Sequence, residues 1–235
     1  MALANRGRLL AHLVRLPLNR VNTPSETIYL VDDDPSVLRS LSRLVRQAGY
    51  AEQSFDSGEA FLAACPPAFA HPACAVVDLQ MPGLSGLELQ QQLNGRPAPC
   101  PVIFISGHGD IPSSVQAMRQ GAVTFLTKPF DDEALLRAIS EGLASHRGLL
   151  ATTARESAAS GRIAKLSDRE CEVMAWVITG ALNKQIAGHL GIVEQTVKVH
   201  RSRVMEKMGV VSVAELVRLC DAAGFKAAGL PQTFT

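Results

Sequence analysis

Five polar side chains in the first half of the sequence stand at or just after the end of a short apolar run. They are Asp32, Asp33, Asp78, Ser106 and Lys128. If these runs form neighbouring parallel strands, the three carboxylates share a few ångströms, and two unit charges about 4 Å apart near a surface repel by about 4 kcal/mol. Such a cluster requires a cation. Oxygen ligands with open positions favour Mg²⁺, which keeps several of its waters, and Lys128 supplies a further positive charge.

The apolar runs themselves predict the strands of a parallel sheet. Each run is short and apolar, and a segment with the apolar spacing of a helix follows it. Strands are predicted at residues 28–31, 50–55, 75–78, 101–105 and 123–126, and helices at 35–48, 57–64, 84–93, 113–120 and from 131 onward. Regular alternation of strands and helices is typical of a doubly wound sheet with right-handed crossovers.

The order of the strands decides whether the polar residues meet. In a doubly wound sheet of order 2-1-3-4-5, strands 1 and 3 are neighbours at the switch point, and ligands bind at the carboxyl ends of the strands. Asp32 and Asp33 follow strand 1, and Asp78 ends strand 3. Asp34 is well placed as the N-cap of the first helix, with Pro35 as its first residue. The alternative is that Asp78 only caps a strand or a loop.

Four segments of this half are VDDDP, VVDLQMPGLSG, ISGHGD and FLTKPF, in that order. They resemble the receiver domain of two-component response regulators, and the resemblance covers about residues 26–148. It implies that Asp78 accepts a phosphoryl group from a histidine kinase. A carboxylate is already nucleophilic when it is ionised, so this chemistry requires no base. His108, in the third segment, is therefore interpreted as a loop residue.

The same resemblance implies the ligands of a Mg²⁺ ion and the contacts of the phosphoryl group. The ligands are Asp32, Asp33, Asp78 and the backbone carbonyl of Gln80, and the phosphoryl contacts are Ser106 and Lys128. It also implies that the Lys128–Pro129 bond is cis, and that Ser106 acts with Phe125 as a switch. Phosphoryl transfer depends mainly on positioning and charge stabilisation, so these groups suffice.

From residue 165 onward the sequence shows only helical periodicity. Ser167 and Glu170 have the spacing of a capping box, and helices are predicted at 168–179, 183–190, 194–208 and 212–223. A short helix, a tight glycine turn and a longer helix predict a helix-turn-helix. The small and polar residues 149–164 are interpreted as an interdomain linker. Ser160 and Gly161 are expected to break any helix that extends into it.

The helix predicted at 194–208 carries the second candidate site. Its apolar stripe is Val197, Val204, Met205 and Met208, and the residues that point elsewhere are Gln195, Thr196, Lys198, Val199, Ser202 and Arg203. Lys and Gln can donate to base edges in a DNA major groove, and Val199 can touch a thymine methyl. Lys184 of the preceding helix joins this predicted DNA-binding set. The alternative is a solvated surface with one exposed valine.

The segment LSDRECEVMAWVITGALNKQIAGHLGIVEQTVKVHRSRVMEKMGV resembles DNA-binding domains of the LuxR/FixJ/NarL type. The fold expected for the whole chain is a CheY-like, doubly wound, five-stranded parallel α/β receiver domain followed by an all-α, four-helix LuxR-type helix-turn-helix domain at 165–228. One residue departs from the family pattern. Val193 stands where Ser or Thr usually caps the recognition helix, which forgoes about 1 kcal/mol of capping and removes a hydroxyl that could meet a phosphate.

Charge divides the chain into two parts. Residues 27–150 hold 8 Lys and Arg against 13 Asp and Glu, and residues 162–235 hold 10 against 7. An acidic front and a mildly basic back indicate different partners. The five scattered cysteines form no CxxC pair, which argues against a zinc site or a disulfide framework and favours a reducing compartment. With no run long enough to cross a bilayer, we expect a cytoplasmic protein whose residues 1–25 are a flexible basic leader; export is the alternative.

The sequence thus predicts a phosphorylation-controlled transcriptional regulator with no enzymatic turnover of its own. An aspartyl-phosphate phosphatase or dehalogenase-like hydrolase would carry a second Asp two residues after the nucleophile, where this chain has Gln80. A third hypothesis is a DNA-binding protein whose receiver domain serves only as a scaffold. A homodimer is predicted on phosphorylation, through helix 4 and strand 5 and through the stripe Val213, Leu216, Val217 and Cys220. RNA polymerase is a further candidate partner.

Overall fold

The computed structural model describes residues 26–107 and 111–225. The expectations for the leader 1–25 and for His108 lie outside the described residues, as do the last positions of the predicted segment 165–228. Within the described ranges, no helix is long and apolar enough to cross a membrane.

A five-stranded parallel sheet forms the centre of the amino-terminal part, in the order β2-β1-β3-β4-β5. Its strands are β1 (Thr27–Val31), β2 (Ala51–Phe55), β3 (Ala73–Asp78), β4 (Val102–Ser106) and β5 (Thr124–Thr127). The predicted order is confirmed, and each strand lies within one or two residues of its predicted bounds. The carboxyl ends of β1 and β3 therefore lie side by side.

Helices cover both faces of this sheet. They are α1 (Pro35–Gln47), α2 (Gly58–Ala64), α3 (Gly86–Asn94), α4 (Ile111–Arg119) and the first part of α5 (Asp132–Ile163). Asp34 caps α1 as predicted, because its carboxylate accepts a hydrogen bond from the Ser36 N–H at 2.7 Å. Successive strand residues face opposite sides: Val31 packs with Leu89 of α3, whereas Leu30 packs with Ile139 of α5. Both faces of the central strands are buried, as expected for a parallel sheet.

Helix α5 corrects one expectation from the sequence. The predicted break at Ser160 and Gly161 is wrong, because α5 continues as one helix of 32 residues to Ile163. Glycine in a helix interior costs about 1 kcal/mol relative to alanine, and tertiary contacts offset that cost here. Ala159 is fully buried, Ile163 packs against the carboxyl-terminal core, and the Arg162 guanidinium donates to the Met208 carbonyl at 2.8 Å.

Four further helices form the carboxyl-terminal part. They are α6 (Asp168–Val177), α7 (Asn183–Leu190), α8 (Glu194–Met208) and α9 (Val213–Ala222). The capping box of Ser167 and Glu170 is present at the start of α6. Gly191 ends α7 in the left-handed conformation, at a φ of 64° that glycine adopts without strain. The short helix, the glycine turn and the long helix of the predicted helix-turn-helix are thus present.

Candidate functional site

The structure brings three of the predicted site residues together at the carboxyl edge of the sheet. The Lys128 Nζ lies 2.7 Å from Asp32 Oδ2 and 2.7 Å from Asp78 Oδ1. Asp32 and Asp78 are buried, with 1% and 6% of their surfaces exposed. These residues are 96 and 50 positions from Lys128 in the sequence. The switch point between β1 and β3 is therefore a compact site in which one ammonium group bridges two carboxylates.

Backbone hydrogen bonds fix the two carboxylates in place. The Asp34 N–H donates to Asp32 Oδ1 at 2.9 Å, and the Gln80 N–H donates to Asp78 Oδ2 at 2.7 Å. The Lys128 N–H donates to the Ser106 carbonyl at 2.7 Å, and the Lys128–Pro129 bond is cis. Each carboxylate oxygen of the pair thus has one hydrogen-bond partner and keeps acceptor capacity for another.

Burial and pairing act in opposite directions on the pKa values at this edge. It raises the pKa of Asp32, and the hydrogen bonds from Lys128 and from the Asp34 N–H offset that rise only in part. Burial lowers the pKa of Lys128, but the hydrogen bonds and charges of Asp32 and Asp78 outweigh it, so that pKa is raised. When both carboxylates are ionised, one ammonium balances two negative charges. The site is one positive charge short.

The donor set fits a hard divalent cation. Mg²⁺ is commonly held by one or two carboxylates and retains several waters, and Asp32 and Asp78 are two carboxylates with one uncompensated charge. Asp33 is exposed, and among the described residues no three His, Cys, Asp or Glu side chains are placed to hold a metal ion. The close cluster therefore contains two carboxylates where the sequence predicted three, and Asp33 as a ligand stays a prediction.

The two predicted switch residues lie on adjacent strands. Ser106 ends β4 and is 1% exposed, and its register partner on β5 is Thr127. Phe125 pairs with Phe104 in the same register and packs, partly buried, against the core on the α2–α4 side of the sheet. Their roles as phosphoryl contact and switch stay predictions.

The loop after Asp78 has a tether that the sequence did not predict. The Glu59 carboxylate of α2 accepts a hydrogen bond from the Leu84 N–H at 2.8 Å, across 25 positions of sequence. No local pattern predicts this contact, because in the sequence Glu59 has the position of an ordinary surface acid in the first turn of a helix. Only the packing of α2 beside the loop brings the two together.

The second candidate site is the exposed side of α8. Val197, Val204 and Met208 are fully buried in the core of the carboxyl-terminal part. The predicted DNA contacts lie away from this core: Gln195, Lys198, Val199, Ser202 and Arg203 are exposed, Thr196 is half-buried, and Lys184 is exposed on α7. The stripe predicted from the sequence is thus the side of α8 that packs, and the contacts to DNA stay predictions.

Both helices of the helix-turn-helix begin with an apolar N-cap. Val193, before α8, makes no side-chain cap and is 68% exposed, which confirms the predicted departure. Leu182, the N-cap of α7, was not predicted, and its side chain cannot cap the helix either. The Leu182 N–H donates to the Gln185 amide oxygen at 2.8 Å. Two large apolar side chains therefore stand exposed at the starts of these helices.

The other end of α8 is tied to its own domain. The Lys207 Nζ lies 2.6 Å from the Glu170 carboxylate, which is 3% exposed, and 3.3 Å from the Lys165 carbonyl. The hydrogen bonds from Lys207 and from the Ser167 N–H lower the pKa of Glu170 to about 2. Together with the Arg162 contact to Met208, these bonds fix the carboxyl end of α8 against α5 and α6.

The surfaces predicted for self-association differ in exposure. On α9, Leu216 and Cys220 are fully buried in the domain core and Val213 packs against it, so Val217 is the partly exposed remainder of that stripe. The end of α5 also packs against α9. On α4 the side chains at i, i+4 and i+7 are exposed: Ile111 at 77%, Val115 at 43% and Met118 at 47%.

Comparison with known proteins matches both parts of the chain. The family model of the response regulator receiver domain matches residues 28–140, and that of the bacterial regulatory proteins of the luxR family matches residues 164–220. The response regulator protein TodT of Pseudomonas putida is 42% identical over 209 residues, covering 87% of this chain and 89% of its own. The transcriptional regulatory protein FixJ of Azorhizobium caulinodans is 43% identical over 197 residues, covering 84% and 92%.

Among solved structures, the response regulator StyR has a TM-score of 0.76 and 43% identity, and the match covers 84% of this chain and 98% of that one. Full-length FixJ from B. japonicum has a TM-score of 0.50 and 40% identity over 84% of this chain.

Proposed function

The chain belongs to the two-component response regulators that join a receiver domain to a LuxR-type DNA-binding domain, and we propose that Asp78 is the residue on which it is phosphorylated. It is a transcriptional regulator under phosphorylation control, with a histidine kinase and DNA as its partners. One observation carries the assignment of Asp78. It is a buried carboxylate at the carboxyl end of β3, bridged by the Lys128 ammonium to a second carboxylate.

The proposed step follows from these groups. An Asp78 carboxylate oxygen bonds to the phosphorus of a phosphohistidine, and the P–N bond breaks. Its electron pair stays on the imidazole, which takes a proton from solvent. Lys128 is 2.7 Å from Asp78, so its ammonium can balance charge on the phosphoryl oxygens. Ser106, at the end of the adjacent strand, is the proposed hydroxyl contact.

We propose Mg²⁺ as the cofactor, held by Asp32 and Asp78, with Asp33 and the Gln80 carbonyl as the further proposed ligands. The charge deficit of the site supports this. When bound, the ion supplies positive charge that neutralises the phosphoryl oxygens. The chain itself fixes the carboxylates through the N–H groups of Asp34 and Gln80.

Labelling with radioactive acetyl phosphate tests the assignment. The wild type should gain phosphate that both acid and alkali release, in the presence of Mg²⁺ and not in its absence. Asp78→Asn should gain none, whereas Asp56→Asn, at an exposed aspartate of the same domain, should match the wild type. Labelling of Asp78→Asn at the wild-type rate would disprove the assignment, and an unlabelled wild type would favour a receiver that is only a scaffold.

We propose that the exposed face of α8 enters the DNA major groove. Its amino-terminal part offers donors in Gln195 and Lys198 and an apolar contact in Val199, and Thr196, Ser202, Arg203 and Lys184 flank them. Recognition helices present their first turns to base edges in this way. The test is the Lys198 variant described in the Discussion.

We further propose that phosphorylation drives dimerisation through α4 and β5. The exposed stripe of Ile111, Val115 and Met118 supports this, because burial of an apolar stripe against a second copy removes it from water and favours association. Ser106 and Phe125, one strand apart, are the proposed switch that couples the phosphoryl group to this surface. A local charge that biases a two-state element is the physical content of such a switch.

Sedimentation with and without acetyl phosphate tests the dimer. The donor should convert monomers to dimers. Ser106→Ala should weaken that shift, and Val115→Asp should prevent it with labelling of Asp78 retained. Val211→Asp, at a 91% exposed valine in the other domain, is the matched control. An unchanged distribution with confirmed phosphorylation would contradict dimerisation and favour release of an interdomain block, for which the packing of α5 on α9 is the candidate contact.

The remaining proposals concern the setting in which the chain acts. We propose that it works in the cytoplasm, where its DNA target lies, and that it has no enzymatic turnover of its own, since position 80 lacks the second aspartate of an aspartyl-phosphate hydrolase. RNA polymerase is the proposed further partner. Steady release of phosphate from small phosphoesters by the purified protein would contradict the second of these proposals.

A further inference from the structure

The loop between β3 and α3 carries Gln80, two residues beyond the proposed phosphoacceptor, and most of its hydrogen bonds are local. The Gln80 N–H donates to Asp78 at 2.7 Å, the Ser85 N–H to Glu88 at 2.9 Å and the Gly86 N–H to the Leu79 carbonyl at 3.1 Å. These bonds close the base of the loop onto β3 and onto the first turn of α3. They leave its far side, around Gly83 and Leu84, to be held from elsewhere.

Helix α2 supplies the contact to this far side of the loop. The Leu84 N–H donates to Glu59 Oε1 at 2.8 Å. Glu59 lies in the first turn of α2, which Ser57 caps by accepting from the Ala60 N–H at 3.4 Å. The carboxylate therefore extends from a capped helix end to a backbone donor of the loop.

The two segments are shaped for this contact. Gly83 has a φ of 77°, which favours glycine, and a Cβ added there would lie 2.6 Å from Glu59 Oε1, so the Glu59 side chain would have to move away. A Cβ on Gly58 would meet the Leu84 side chain at 3.1 Å and the Leu84 carbonyl at 3.3 Å. Glycine at position 58 therefore lets α2 pack closely against Leu84 of the loop. The Glu59 hydrogen bond lies at the surface beside this close packing.

From this geometry we infer that Glu59 is a positioning residue for the phosphorylation site. Its hydrogen bond anchors the far side of the loop while Asp78 and Leu79 anchor the base, so the main chain at Gln80 is held from both sides. Loss of a group that orients metal ligands from outside the ligand set typically lowers the metal affinity of a site. This inference rests on the proposed roles of Asp78 and Mg²⁺, and it assigns to Glu59 the ordering of the Gln80 backbone.

The hydrogen bond and the charge of Glu59 can be separated by substitution. Glu59→Gln keeps an oxygen that accepts from the Leu84 N–H and removes the negative charge. Glu59→Ala removes both. Asp56→Ala is a matched control, because Asp56 is also an exposed acid next to α2 and its carboxylate accepts only from the Ser57 hydroxyl, at 3.2 Å, among the hydrogen bonds of the described residues.

The experiment measures Mg²⁺ affinity directly, by titration of the full chain followed through the amide NMR signals of Gln80 and Leu84. Glu59→Ala should weaken Mg²⁺ binding by about tenfold, with loss of hydrogen-exchange protection at Leu84. Glu59→Gln should stay within about twofold of the wild type, because the amide oxygen replaces the lost acceptor. Asp56→Ala should match the wild type.

Four results would overturn the inference. Wild-type Mg²⁺ affinity in Glu59→Ala would overturn it and leave the proposed role of Asp78 intact. An affinity in Glu59→Gln as weak as that of Glu59→Ala would also overturn it, since the effect would then come from charge and not from the hydrogen bond. No Mg²⁺ binding by the wild type, or full binding by Asp78→Asn, would overturn the proposed metal site and this inference with it.

Discussion

Two buried carboxylates, one in each domain, are each paired with a lysine, yet their pKa values shift in opposite directions. Asp32 lies 2.7 Å from the Lys128 ammonium, and its pKa is raised. Glu170 lies 2.6 Å from the Lys207 ammonium, and its pKa falls to about 2. Asp32 shares its lysine with a second carboxylate, Asp78, at the buried end of two strands. Glu170 shares its lysine only with the neutral Lys165 carbonyl among the described residues, and it also accepts from the Ser167 N–H.

The difference separates a site that is kept for chemistry from one that is kept for stability. In the receiver, burial raises the pKa of Asp32 by more than the hydrogen bonds from Lys128 and Asp34 lower it. Two carboxylates there share one ammonium, so the site retains a charge deficit that a cation can fill. In the DNA-binding domain, the capping box and Lys207 satisfy a single carboxylate, which then fixes α6 to the end of α8. The following predictions test this contrast.

The largest effect is expected for Lys128→Met. It leaves Asp32 and Asp78 buried without a counterion, and breaking a buried ion pair costs about 3 kcal/mol or more. The free energy of unfolding from urea titration, followed by circular dichroism, should fall by about that amount. Arg137→Met is the control, because its pair with Glu133 is exposed on both sides and should change stability by about 0.5 kcal/mol or less. Equal effects of the two variants would contradict the contrast.

Lys198→Ala tests the exposed face of α8, where a lysine has no buried partner. If Lys198 reads a base, DNA affinity should fall by about 1–3 kcal/mol with relaxed sequence preference. If it contacts phosphate, the loss should be uniform across sequences and the salt dependence shallower. Stability should stay within about 0.5 kcal/mol, as is usual for surface substitutions. Arg218→Ala, at an exposed residue of α9, is the control for charge. An unchanged footprint of the Lys198 variant would contradict the assignment of α8.

Asp32→Asn should raise the free energy of unfolding, whereas Lys128→Met should lower it. Removing one of the two carboxylates relieves the competition for Lys128 and the burial of an uncompensated charge, so the receiver should become more stable by about 1 kcal/mol. Glu133→Gln, at an 82% exposed side chain, should leave the unfolding midpoint unchanged. A loss of stability in Asp32→Asn would show that the carboxylate is kept for the fold and not for the chemistry.

Glu170 should give the stability of the DNA-binding domain a clear dependence on pH. Its pKa of about 2 in the folded protein lies below the ordinary 4.5, so the folded state binds fewer protons than the unfolded chain between these values. The stabilisation is complete above about pH 5 and is lost as the pH falls toward 2. Trp176, the one tryptophan of the sequence, lies in α6 and reports unfolding of this domain by fluorescence.

Glu170→Gln should flatten that dependence, and Glu172→Gln, at a half-exposed acid of the same helix, should retain it. The same slope in both variants would mean that other carboxylates dominate acid unfolding of this domain.

Much of the fold and of the two candidate sites could be predicted from the amino-acid sequence. Local patterns predicted the strands and the helices of both domains, because burial on one or both sides leaves a period that can be recognised in a few residues. The strand order was predicted from the doubly wound fold class. The same reasoning placed Asp32, Asp78, Ser106 and Lys128 at one edge of the sheet, since each ends or directly follows a strand. It also identified the packed stripe of α8 and the missing cap at Val193.

Contacts between distant segments could not be read in this way. The expectation of three clustered carboxylates assumed that residues at one edge converge, whereas Asp33 is exposed and Lys128 bridges the other two. The break expected at Gly161 failed because the end of α5 is held by the carbonyl of Met208, 46 positions away. Propensity is a local property, and tertiary packing overrode it.

The sequence by itself therefore determined the two domains and the residues that stand at the strand ends and on the exposed side of α8. The tertiary structure alone decided which charges pair, that α5 is continuous, and that Glu59 of α2 holds the loop after Asp78. The physical reason is that periodicity, capping and strand ends are set by neighbours in the sequence. Pairing of buried charges and closure of a loop depend on which surfaces pack together when the whole chain folds.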